Sequence, residues 1–118
     1  MKDLPRKTYS EERPWGSFSR FTSNEVSTVK IITVKPNESL SLQYHEKREE
    51  FWRILSGEGE VVIGESTTPA TSGSEFFVGK GEKHRMSAGS QGLEVLEISF
   101  GEFDEKDIVR LEDKYGRN

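Results

Sequence analysis

From Val26 to Phe100 the chain is written in short runs whose apolar and polar residues alternate, cut at near-even spacing by glycine, proline or asparagine. A period of two sends successive side chains to opposite faces of an extended strand, so such runs fit β-structure and not helix. VSTVKIITV (26–34) is rich in β-branched residues and closes on Pro36-Asn37, a turn signal. ESLSLQYH places Leu40, Leu42 and Tyr44 on one face and Ser39, Ser41, Gln43 and His45 on the other. FWRILSGEGEVVIGE reads as two strands around Gly57 and Gly59, SEFFVGKGEKH as one strand running into a glycine-rich turn, and LEVLEISFGEF as the last long strand. The polar stretch 64–74, GESTTPATSGS, reads as a surface loop. The tail DEKDIVRLEDKYGRN reads as a short helix, with Ile108 and Leu111 three apart and a glycine near the end. Many short strands with glycine punctuation predict an all-β sandwich or barrel. With 118 residues, no internal repeat and no linker, the expectation is a single domain over 1–118.

Charge and cysteine content remove several functional classes. Seventeen basic and 21 acidic residues are mixed along the chain for a net charge of -4, which leaves no basic stripe for nucleic acid. Cysteine is absent, so neither disulfides nor thiolate metal sites can form. The first residues, MKDLPRKTYSEERPWG, are charged and unlike a signal peptide, and no run of about 18 apolar residues exists to cross a membrane. A soluble cytoplasmic protein is expected.

The chemistry is concentrated in QYHEKREEFW (43–52) and in a second histidine 34 positions after Glu50. Gln43, His45, Glu50 and His84 together offer two imidazoles, a carboxylate and an amide oxygen, a ligand set suited to one divalent metal. Zinc is the first expectation; iron, manganese, cobalt and nickel fit the same donors. Gln43 is the weakest of the four, since an amide there could equally bond a neighbour. Arg48 and Arg85 flank these positions and Lys30 sits on the preceding strand, a set of cations that suits an anionic, phosphorylated sugar. On LEVLEISF, Glu97 shares a face with Val95 and Ser99, which predicts a carboxylate among buried positions and a candidate acid-base group. Trp52 shares the face of Glu50 and Ile54; both it and Trp15 are expected to pack in the interior.

Residues 37–57 resemble the first cupin motif and residues 73–88 the second, with Gln43, His45, Glu50 and His84 at the ligand positions. Asn37, Gly79 and Ala88 depart from the usual pattern. RPWGSF, SLQYHEKREEFW, GEKHRM, LEVLEISFG and DIVRLEDKYGR follow the order seen in the C-terminal domain of type II mannose-6-phosphate isomerases, over about residues 13–117. No guanylyltransferase half is expected within these 118 residues. The resemblance implies a single-domain cupin, a jelly-roll barrel or double-stranded β-helix, that interconverts mannose 6-phosphate and fructose 6-phosphate in carbohydrate metabolism. It implies a catalytic role for Arg48 and makes glutamine at 43 the normal state. Arg110, Tyr115 and Arg117, in the closing signature, could fold back over the barrel mouth as substrate-binding groups. Two alternatives stay open: a non-catalytic sugar- or metabolite-binding cupin, and another metal-dependent cupin enzyme such as an oxygenase or epimerase. The apolar face of Leu40, Leu42 and Tyr44 has to be covered, which predicts a homodimer through that sheet or the N-terminal segment. A separate guanylyltransferase chain is a further candidate partner.

Overall fold

The computed structural model describes residues 8–116, in which nine strands and no helix are present. They are β1 (Tyr9–Arg13), β2 (Gly16–Arg20), β3 (Ser27–Val34), β4 (Leu42–Tyr44), β5 (Glu49–Ile63), β6 (Ser66–Thr71), β7 (Glu75–Val78), β8 (His84–Phe100) and β9 (Val109–Glu112). β1 and β2 form a hairpin of their own, and the other seven make one antiparallel sheet. Its backbone is the pairing of β5 with β8, the two longest strands, from Glu49↔Phe100 to Ile63↔His84.

Gly57 and Gly59 do not divide two strands as expected. Register shifts at Ile54/Ser56 and Gly57/Gly59 bend β5 while it stays paired, so one strand serves both walls of the barrel. Along one half, β3 and β7 flank the β8–β5 pair; along the other, β6 and β4 do, with β9 outside β4. Gly57 has φ +86°, and a Cβ there would collide with the Gly92 carbonyl oxygen of the partner strand. Only glycine meets both demands.

The interior follows the alternation. Trp52, Ile54, Val61, Val78, Met86, Leu93 and Val95 form the main core. Phe51, Ile98 and Phe100 form a second cluster, against which Phe21 packs from the segment after the hairpin. Two expectations about secondary structure are corrected. Residues 66–71 form β6 and not a loop: the strand lies at the sheet edge, where Pro69 costs little because its missing N–H is not needed, and Ala70 is fully buried. The tail forms β9 and not a helix, because pairing with β4 satisfies its backbone and overrides the three-residue spacing of Ile108 and Leu111. Trp15 is also corrected: it sits at the hairpin tip, 73% exposed, whereas Trp52 is 1% exposed as expected.

Candidate metal centre

Three segments bring the ligating groups together. His45 follows β4, Glu50 lies on the inner face of β5 and His84 opens β8, where it stands across from Gln43 and from Ile63. All three side chains are about 2% exposed. Their ligand atoms lie within 4.8 Å of one another. Glu50 Oε2 is 3.4 Å from His45 Nε2 and Glu50 Oε1 is 3.7 Å from His84 Nε2. Donor atoms this close together could be bridged by a single divalent ion.

The hydrogen bonds around the rings prepare those atoms. His45 Nδ1 donates to the Asp107 carbonyl at 2.5 Å and His84 Nδ1 to the Glu82 carbonyl at 2.9 Å. A carbonyl only accepts, so both protons are fixed on Nδ1 and both Nε2 atoms present lone pairs. His84 Nε2 is buried without a hydrogen-bond partner, so its lone pair is not committed to any protein donor and could bind a cation. Glu50 is oriented by Trp52, whose indole donates to Oε1 at 3.0 Å, and by Arg48, whose Nε donates to Oε2 at 3.0 Å. Burial pushes the Glu50 carboxyl up, but its electrostatic interactions with the His84 and His45 rings, the indole bond and the Arg48 cation outweigh it and hold the group below the usual range. For His45 burial dominates and its pKa lies below the ordinary value, which favours the neutral, ligating ring.

Gln43 borders the site, and its Oε1 accepts from Ser41 Oγ at 2.9 Å, which leaves the oxygen one lone pair for other use. Above the cluster opens a cleft of about 330 Å³ whose walls include Lys30, Gln43, Arg48, Glu97, Phe103 and Arg110. Glu97 is buried, and desolvation first, then the charge of Glu50, raises its pKa to about 8 against the opposing pull of Lys30 and Arg48. Arg110 Nε is buried without a hydrogen-bond partner.

Not every expected cation reaches this cleft. The alternation that sends His84 inward sends Arg85 to the opposite face of β8, where it approaches Glu112 at 3.7 Å, so the expectation that it flanks the ligands is corrected. Tyr115 likewise lies elsewhere: its hydroxyl donates to Glu38 at 2.5 Å and it borders a separate depression with Thr33 and Leu40. Arg117 lies outside the described residues. Sequence reasoning missed Asp107 and Phe103. Asp107 also accepts at 2.9 Å from the amides of Glu46 and Lys47, which ties the turn after His45 to the segment before β9. No local pattern marks a residue that acts 62 positions away.

An antiparallel barrel with two imidazoles and a carboxylate converging inside one end defines a cupin-type domain. Solved structures share that fold, among them a cupin protein from Bacteroides fragilis (TM-score 0.60, 18% identity, 91% of this chain and 90% of that one). Oxalate decarboxylase from Bacillus subtilis is another (TM-score 0.68, 21% identity, 92% of this chain and 29% of that one). Within the fold, the chain belongs to the family described as mannose-6-phosphate isomerase C-terminal, whose model matches residues 3–113. It is 41% identical to the xanthan biosynthesis protein XanB of Xanthomonas campestris over 114 residues, 95% of this chain and 24% of XanB. It is 39% identical to a mannose-1-phosphate guanylyltransferase of Salmonella montevideo, covering 90% of this chain and 23% of that protein. The chain therefore spans about a quarter of the length of these relatives. Among the described residues no helix is long and apolar enough to cross a membrane.

Proposed function

We propose that the chain is a metal-dependent aldose–ketose isomerase acting on mannose 6-phosphate and fructose 6-phosphate. The observation that carries the reading is the pairing of a three-donor cluster with a cleft that holds one buried carboxyl, Glu97, and three cations, Lys30, Arg48 and Arg110. Family membership supplies the substrate class.

His45, Glu50 and His84 would hold the divalent ion, with Gln43 as a fourth donor. When bound, the ion supplies a Lewis acid for the sugar oxygens and helps to stabilise negative charge on them. Glu97, as carboxylate, takes the proton from C2 of the open-chain aldose and returns it to C1 on the same face. The hydroxyl proton moves from O2 to O1, so aldose becomes ketose with no net gain or loss of atoms. Lys30 and Arg48 stabilise the enediolate between the two proton transfers, and the unpaired Nε of Arg110 faces the task of binding the phosphate. Phe103 lies against Lys30 and Arg48, 4.4 and 4.7 Å from ring centroid to cation, and gives both an aromatic face to rest on.

A second copy of the chain is proposed as partner. The interface expected on Leu40, Leu42 and Tyr44 is corrected, because all three are partly buried and Leu40 packs on the main core. The exposed aliphatics Val29 and Ile31 lie instead on β3, a sheet edge, and dimerisation there would cover both the residues and the open strand. A separate guanylyltransferase chain is proposed to work alongside it.

The function is tested by a coupled assay of the metal-loaded protein with mannose 6-phosphate, run beside His84→Ala and a chelator-treated sample. Turnover confined to the loaded wild type supports the reading. Binding of the sugar phosphate without turnover would leave a binding module in its place.

A further inference from the structure

His45 Nε2 has a single lone pair, because the proton of the neutral ring is committed through Nδ1 to Asp107. In this structure that lone pair receives Nη2 of Arg48 at 3.1 Å. Nε of the same guanidinium donates to Glu50 Oε2 at 3.0 Å. One cationic side chain, itself buried, thus spans two of the three atoms that would hold the ion. A lone pair that accepts an arginine N–H cannot also bind a metal.

We propose that Arg48 and the divalent metal compete for His45 Nε2 and Glu50 Oε2, and that metal loading hands the guanidinium to the anion-binding cleft. This rests on the metal-centre reading above. The hand-over needs little movement. Arg48 Cζ already lies over the ring of Phe103, which also seats Lys30, and all three residues border the cleft. A guanidinium can pivot on that aromatic face and keep its cation–π contact while its donors turn outward. Once turned, it adds a positive charge next to a divalent ion, an arrangement that favours a bound anion. By linkage, an anion that engages Arg48 tightens the metal by the same factor that the metal tightens the anion. The arginine is then a placeholder that keeps the ligand atoms oriented and satisfied, and a substrate-binding group only when the ion is present.

Cobalt(II) titration followed by visible absorption measures the affinity without reference to turnover. Arg48→Met keeps the aliphatic stem and removes the donors, so it is expected to bind cobalt about tenfold more tightly than wild type, the equivalent of one charge-assisted hydrogen bond no longer broken on loading. Saturating fructose 6-phosphate is expected to tighten cobalt binding several-fold in wild type and to leave Arg48→Met unchanged. Equal or weaker binding by a folded Arg48→Met, checked by circular dichroism, overturns the competition, as does the same response to the sugar phosphate in both proteins. Should Arg48→Met not fold, Arg48→Leu replaces it: it too lacks any donor for either acceptor, and binding no tighter than wild type overturns the proposal equally. His84→Ala separates the two levels. If it binds cobalt as well as wild type, the metal-centre reading falls and takes the competition with it; if it loses cobalt while Arg48→Met matches wild type, only the competition falls.

Discussion

Replacing Glu97 by glutamine is expected to stabilise the metal-free protein, and by an amount that grows with pH. The unfolded chain ionises this carboxyl near 4.5, whereas in the fold burial and the charge of Glu50 hold the proton to about 8. Its folded pKa is raised, so its contribution is fully retained below pH 4.5 and is lost as pH rises toward 8. Between those limits the unfolded state binds fewer protons, and stability falls by about 1.4 kcal/mol per pH unit. At pH 7 the accumulated loss is about 3 kcal/mol, enough to lower the melting temperature of a domain this size by about 10 °C. Glutamine has no proton to lose, and its amide can donate toward Glu50 as the protonated acid does. Urea denaturation in EDTA, followed by indole fluorescence from pH 5 to pH 8, should show the two proteins converging at the acid end and Glu97→Gln leading by about 3 kcal/mol at pH 7. Chelation matters because a divalent ion beside Glu97 would favour its ionised form. Curves that stay parallel across that range would refute the buried, charge-opposed environment assigned to Glu97.

Asp107→Ala removes the acceptor for the amides of Glu46 and Lys47 and should cost about 1–3 kcal/mol at neutral pH by thermal unfolding. Burial raises the Asp107 pKa, but the two amide bonds outweigh it and leave it lowered, so the cost should shrink as pH falls through that lowered value. Gly57→Ala forces a Cβ onto the Gly92 carbonyl at a positive φ, and a loss above about 3 kcal/mol in urea unfolding is expected. Val29→Lys with Ile31→Lys should convert the proposed dimer to a monomer in light scattering at micromolar concentration; a wild type that is already monomeric would dispose of that interface.

How much of this could be read from the sequence depended on where each residue's partners lie. His45, Glu50 and His84 could be picked out because their donor groups fall at the ligand positions of the two motifs, and a β-strand's period of two, which fixes which neighbours share a face, placed Glu97 and Trp52 inside. That rule also assigns Arg85 to the face opposite His84, yet adjacency in sequence suggested adjacency in space, and the structure shows the cost of that shortcut. β6 and β9 escaped because each lies at a sheet edge, where pairing on one side suffices and threonine, proline and charged residues are tolerated. Asp107 and Phe103 escaped for a different reason. They act on His45, Arg48 and Lys30 from a segment with no periodicity, and only closure of the barrel brings them there. The parts of the site that bind are thus written locally on strands, while the parts that set proton positions and seat the cations are written in the order of the strands. A chain that kept its motifs and lost the 101–108 segment would retain all three ligands and release both the Nδ1 proton of His45 and the aromatic seat of Arg48. Metal affinity in such a variant should fall despite an intact ligand set, because the tautomer that aims His45 Nε2 inward is held from outside the motif.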